Sequence, residues 1–424
     1  MIHHRRLRHL AAGAAILISL PACTTMAAIT EASSAAPETP SPSAIHEQAI
    51  VLDAHADIAL PDTSPLYLGA DGQSKVATDK LEAGGVDAVI MALATGPKPR
   101  TLEGRAKGAA EIAAKLDAIQ ARVAADPARL TFARTASDVR AAQDQGKVAI
   151  ILGFQNALAL ERDVSRLDAL YADGVRVFGL THMGHNDFSD SSRPLFDGET
   201  GTYEVTEEHG GLSELGRQAV QRIDALGGIV DVSQMSKAAT LQAIELSDTP
   251  IIATHSNAKQ LSDVTRNLSD EEIDRIGETG GVIHIAAFSA YLADLTSPKR
   301  RSAIRDVRLA AGLPETYSYP YELYWELEDE AERISFLTNM RELVGREDVA
   351  RMVDHIDYVV SRIGIDHVGI GTDFNHGGGI VGFAEADSAQ NVTEELLRRG
   401  YSPSDIDKIW GGNFLRVFAA ATDR

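Results

Sequence analysis

Eight short apolar runs, each followed by an amphipathic stretch, recur along this chain from about residue 49 to residue 375, and this rhythm most restricts its fold. The runs are 49–55 (AIVLDAH), 86–95 (VDAVIMALAT), 148–156 (VAIILGFQN), 175–183 (VRVFGLTHM), 228–234 (GIVDVSQ), 251–257 (IIATHSN), 281–289 (GVIHIAAFS) and 367–375 (HVGIGTDFN). Most are apolar on both faces, as strands of a parallel sheet covered by helices must be. Helical periodicity fills the intervals at 101–125, 136–145, 162–173, 212–226, 237–247 and 270–278, with capping signals at Ser269 (before DEEIDRI) and Ser402 (before PSDIDKIW). Eight βα units in 424 residues predict an α/β TIM barrel, (β/α)8, rather than a doubly wound sheet. The spacing breaks once, between strands seven and eight, where about 75 residues intervene, including YSYPYELYWELEDEAERI. That segment reads as a helical insertion, either a lid over the barrel mouth or an elaboration of the outer ring.

In such a barrel the C-terminal strand ends share one face. Read in order they carry His55 and Asp57; Gln155 and Asn156; His182, His185, Asn186 and Asp187; Gln234; His255; and Asp373 with Asn375. Unpaired buried polar groups cost about 1–3 kcal/mol each, so polar residues at six of eight strand ends point to a metal-centred catalytic site. His55 and Asp57 are two residues apart and therefore project from one face of a strand. Nitrogen and carboxylate oxygen so placed suit Zn²⁺, which takes both at roughly 2.0–2.2 Å. Three other histidines carry less weight. His284 sits inside its strand, His367 begins one at the wrong end, and His376 heads a glycine-rich loop that reaches substrate only if it folds back. The GIG of HVGIGTDF opens no helix and is no phosphate loop.

The N-terminus reads as an export segment. A basic MIHHRRLRHL precedes an apolar AAGAAILISL that is too short to span a bilayer. Leu20-Pro21-Ala22-Cys23 follows, similar to a lipoprotein signal with an atypical Pro21. Cys23 is the only cysteine, so residues 1–23 are expected to be a lipoprotein-type signal ending at a lipid-attachment cysteine. The alternative is ordinary cleavage just downstream, and the arginine pair also permits twin-arginine export. Acylation of Cys23 would exclude disulfides and thiolate ligands, and would tie the protein to the membrane by that anchor alone. Residues 24–44, rich in Pro, Ser and Ala, read as a tether, with the barrel over 45–424. The expected location is the periplasmic face of a bacterial membrane or the soluble periplasm. A net charge of −21 argues against nucleic-acid partners, which need clustered Lys and Arg.

From about residue 49 to 420 the chain resembles the membrane (renal-type) dipeptidases, zinc peptidases of the amidohydrolase superfamily. The motifs are DAHAD at 53–57, GLTHMGHNDFSDS, ATHSNA with TRNLSDEEI behind it, HVGIGTDF and WGGNFLRVF. The resemblance implies a TIM barrel with two zinc ions, a bridging hydroxide, and hydrolysis of dipeptides, including L-Xaa-D-Xaa. By position His55 and Asp57 match ligands of the first metal, and His255 a ligand of the second. Asp373 matches the proton shuttle and His182 the residue that polarises the scissile carbonyl. Arg266 matches the residue that pairs with the substrate carboxylate; a surface ion pair with Asp263 or Asp270 is its other reading. Gln234 and His185 are placed near the substrate. Homodimers are common in the family, though no segment here identifies an interface.

The departures from the family matter as much. Its bridging glutamate on strand three is Gln155 here, and its strand-five histidine is Gln234. Two divalent ions a few ångströms apart repel, and the charge that offsets this is gone. The sequence therefore predicts one tightly held zinc, on His55 and Asp57 with help from Gln155 or Asp373, and a weak or absent second site. A zinc dipeptidase of the cell envelope is the leading expectation. A single-metal amide or lactam hydrolase, or a protein that binds or matures a periplasmic peptide without cleaving it, remains open.

Overall fold

A computed structural model describes residues 40–423, and its folded unit begins at Ser41. The export segment, Cys23 and the tether up to residue 39 lie outside the described residues. The last residues assigned to the tether belong instead to a first helix, Pro42–Gln48, which Ser41 caps through the backbone N–H of Ala44.

The eight apolar runs form one parallel sheet: β1 (Leu52–Asp57), β2 (Ala88–Ala94), β3 (Val148–Gln155), β4 (Val175–Gly179), β5 (Ile229–Asp231), β6 (Ile252–Ser256), β7 (Val282–Ala286) and β8 (Val368–Gly371). Each pairs with its successor. The barrel closes just beyond β8, where Asp373 N–H donates to His55 O (2.9 Å) and Asp57 N–H to Phe374 O (3.0 Å). This is the TIM barrel the sequence predicts. A short extra strand, Leu130–Phe132, pairs with the first residues of β3, Val148 to Ile150, and the sequence reading did not anticipate it. The capping boxes expected at Ser269 and Ser402 are both formed.

The lower barrel is filled mainly by apolar side chains. Leu52, Ile90, Ile151, Val177 and Ile252 join Phe414 and Phe418 of the C-terminal helix Asn413–Thr422 in one buried cluster. That helix closes the bottom, which leaves the C-terminal mouth as the open end. His284 points into the barrel from β7, with Nδ1 2.8 Å from Ala253 O, and burial lowers its pKa to about 4. The glycines of HVGIGTDF make this possible. A Cβ on Gly369 would lie 2.3 Å from the His284 ring, and one on Gly371 would lie 2.0 Å from Thr254 O.

The insertion between β7 and β8 contains helices Pro298–Ala310 and Glu330–Val344 joined by the tyrosine-rich segment. It has its own apolar core, including Ile304, Leu313, Phe336 and Met340, and meets the barrel at Ala286 and Tyr291. Its aromatic residues wall the mouth, so the lid arrangement holds. Helix Val349–Ile363, by contrast, packs against the helix Asp270–Glu278 and β7 as part of the ring.

Gly371→Ala is expected to lower the unfolding free energy by about 2–3 kcal/mol, because backbone cannot yield as a side chain can. Gly96→Ala, at a position with open space around Cα, is the control, expected to stay within about 0.5 kcal/mol. Denaturant unfolding of both variants measures the difference.

Candidate metal and substrate site at the barrel mouth

The mouth brings together most of the residues singled out from the sequence. His55, Asp57 and Asp373 offer ligand atoms within 4.8 Å of one another, and so do His55, His255 and Asp231. Every one of these side chains is buried. Asp373 and Gln234 adopt left-handed backbone (φ 58° and 67°), a strained conformation for non-glycine residues that tends to collect at functional sites.

A chain of hydrogen bonds fixes the imidazoles. The Thr254 hydroxyl donates to Asp231 Oδ2 (2.6 Å) and so accepts from His255 Nδ1 (2.8 Å). His255 Nε2 is thereby left with its lone pair outward, 3.5 Å from the Gln234 amide nitrogen. Its ring stacks on His55 at 3.7 Å. Burial lowers the pKa of His55, and takes those of His255 and His182 well below the ordinary value, which favours the neutral form that a metal-ligating imidazole needs. Below them Asp53 accepts from the His55 N–H, the Thr372 N–H and the Thr372 hydroxyl, bracing β1 against β8. Burial pushes the Asp53 carboxyl up to about 7 against those hydrogen bonds.

The donor set carries little negative charge for a pair of divalent ions. A neutral imidazole has one lone pair to give, and His55 belongs to both candidate groups, so the two cannot use it at once. Asp231 already accepts from Ser233 N–H, Thr254 N–H and the Thr254 hydroxyl. Asp57 gives Oδ1 to the Lys115 ammonium at 2.9 Å. Burial acts to raise the Asp57 pKa, but Lys115, then His376 and His55, reverse this and hold the carboxyl below its ordinary value. Lys115 thus offsets one of the two negative charges at His55, Asp57 and Asp373. Gln155 and Gln234 bring none, and each keeps a buried amide atom without a partner, Nε2 and Oε1 respectively.

Several expectations change at the mouth. His185 faces away from the main cavity: its Nδ1 accepts from Ser191 N–H (2.9 Å) and its Nε2 donates to Val205 O (2.7 Å). With both nitrogens taken it is a loop brace, so the structure removes it from the substrate-binding set. Asn186 and Asn375 likewise tie loops together, and Asp187 pairs with Arg105. His376 does fold back over the site. It stacks on Tyr67 and lies 3.6 Å from Asp57 Oδ2. Arg266 is buried, not in a surface ion pair; it donates to Ser256 Oγ and to His255 O, and its Nε has no partner. Sequence reasoning missed Asp231, Lys115 and Arg193. Asp231 was detectable as a charge inside the run GIVDV. Lys115 looks like any solvated lysine on a long helix, and Arg193 lies in a loop without a motif.

A profile of the membrane dipeptidases (peptidase family M19) matches residues 41–424. The chain belongs to the membrane dipeptidase family. Dipeptidase tcpJ of Claviceps purpurea is 28% identical over 299 residues, which cover 70% of this chain and 56% of that protein. The chain thus spans between half and two thirds of the curated relatives it matches first. The solved structure of PvdM from Pseudomonas aeruginosa, described as a probable dipeptidase, is 34% identical with a TM-score of 0.78, covering 90% of this chain and 98% of PvdM. A Rhodobacter sphaeroides metallopeptidase, solved with a phosphinate mimic of L-Ala-D-Ala, shares the fold at 20% identity, with a TM-score of 0.67 and coverage of 88% and 99%. Among the described residues no helix is long and apolar enough to cross a membrane.

Two outcomes test the charge argument. Lys115→Met is expected to tighten zinc binding roughly tenfold or more, about 1.4 kcal/mol of relieved repulsion, as read by competition with a chromophoric chelator. Gln155→Glu combined with Gln234→His is expected to raise the zinc retained after dialysis from one ion per chain toward two.

Proposed function

We propose that this protein is a single-metal hydrolase of dipeptides or closely similar short amides, exported to the cell envelope, and held there by a lipid on Cys23. The observation that carries this reading is the cluster of His55, Asp57 and Asp373 at the barrel seam, directly below a cavity lined by His182.

Zinc is the metal this donor set suits best. When bound by His55, Asp57 and Asp373, it supplies Lewis acidity that acidifies water and polarises a carbonyl. The rest of the work falls to the chain's own residues. Asp373, held by its backbone against β1, is the carboxylate placed to take a proton from the attacking water and return it to the departing amine. His182 is neutral, and its Nδ1 has no partner, so it can donate a hydrogen bond to the substrate carbonyl oxygen as negative charge develops there. Arg266, one of whose nitrogens is uncommitted, lies against Tyr291 of the cavity lining and is assigned to the substrate carboxylate. Tyr67 and His376, stacked on each other, cover the metal side of the cavity and help to keep bulk water out. The L-Ala-D-Ala mimic in the Rhodobacter protein makes L-Xaa-D-Xaa peptides natural members of a test panel.

One set of features favours a second reading, a protein that binds its peptide without cleaving it. Gln155 and Gln234 remove an anion and an imidazole, and Lys115 occupies one oxygen of Asp57. Zinc-supplemented hydrolysis of L-Xaa-L-Xaa and L-Xaa-D-Xaa dipeptides separates the two. Turnover is expected, with Asp373→Asn lowering kcat by about 10²–10⁴. Absence of turnover above the Asp373→Asn blank, with peptide still bound, would decide for the second reading.

A further inference from the structure

The cavity above the metal-ligating residues is larger than two small amino acids need. Its volume is roughly 780 Å³, in the range that encloses a drug-sized ligand. Arg193, on the loop after β4, lines it while remaining only 4% exposed. Its guanidinium lies 4.6 Å from the centre of the Tyr319 ring, with Nη2 3.2 Å from Met183 Sδ. Its Nε has no partner, and among the described residues no carboxylate pairs with it.

Two other buried arginines outside the site are held by oxygen acceptors, although Arg308 keeps one free Nη2. Arg105 is bidentate on Asp187, and Arg308 donates to the carbonyls of Pro314, Pro320 and Glu322. Burial disfavours the charge, but Tyr319, Tyr291, Glu322 and Asp373 lie close enough to keep the guanidinium protonated, and none of them takes a hydrogen bond from it. A guanidinium kept this way, facing a cavity, is built to be completed by an anionic ligand group.

Arg193 is also distinct from Arg266. Arg266 lies 5.3 Å from the ring of Tyr291, whereas Arg193 lies on Tyr319, and the two tyrosines meet edge to face at 5.9 Å. Two cationic positions are thus separated by an aromatic wall, to which the insertion contributes Tyr319. Arg341 and Arg346, also from the insertion, line the same cavity and reinforce its preference for anions.

We propose that Arg193 anchors a second anion-binding subsite, and that the natural substrate is an acidic peptide or peptide-like amide. Its terminal carboxylate goes to Arg266 and its second carboxylate to Arg193, while the tyrosines pack against the carbon skeleton between them. The inference rests on the peptide-hydrolase reading for the scissile bond, but the binding preference stands apart from turnover.

The test is equilibrium binding of matched pairs, Glu-Ala against Gln-Ala and Ala-Glu against Ala-Gln, by calorimetry with the metal-free chain, which leaves the peptides uncleaved. At one of the two positions the acid is expected to bind at least tenfold more tightly than its amide. Adding Arg193→Met removes that preference, and Arg193→Lys retains part of it, with thermal melting used to verify that both variants are folded. Equal binding of acid and amide, no binding of any of the four, or a preference that survives Arg193→Met in a folded protein overturns the proposal. Acid-selective binding without hydrolysis by the unmutated protein would uphold the subsite while the peptidase reading falls. Hydrolysis without acid selectivity would do the reverse.

Discussion

The barrel seam between β1 and β8 is the constraint on which the site depends, because the bonds that close the barrel are made by the residues that would hold the metal. Asp373 N–H reaches His55 O, and Asp57 N–H reaches Phe374 O. Asp53 adds three hydrogen bonds that lock Thr372 and His55 to the same carboxylate. These three candidate ligands are therefore positioned by sheet formation itself. At the opposite end the barrel is packed by the apolar cluster under Phe414 and Phe418.

The same seam limits what the site can hold. Each charge added near it must be balanced within a dry shell, and Asp57 already shares its charge with Lys115. The chain supplies neutral amides at Gln155 and Gln234, where the family pattern has an anion and an imidazole. These substitutions are mutually consistent, since a lysine beside Asp57 suits a centre with less positive charge from metal. The chemistry asked of Asp373 and His182 needs a polarised water and a polarised carbonyl, which one ion can supply.

Much of this was legible in the sequence because parallel barrels leave periodic traces. Apolar runs faced on both sides, capping residues such as Ser269 and Ser402, and polar strand ends gave the architecture and placed His55, Asp57, His182, His255 and Asp373 at one mouth. What escaped was tertiary. Lys115 comes from a helix whose surface pattern carries no mark of its contact with β1, and Arg193 comes from a loop that only the finished fold turns inward. His185 illustrates the reverse error. It lies three residues beyond His182, but the loop turns after β4 and spends both its nitrogens on backbone. Which loop residues face the cavity depends on turns whose geometry is set by distant packing, and strand periodicity does not reach that far.

The most direct test of the single-metal account is diffraction from zinc-soaked crystals on both sides of the zinc absorption edge. The account predicts one anomalous peak, within bonding distance of His55, Asp57 and Asp373. Two peaks of comparable height a few ångströms apart, with Gln155 between them, would contradict it.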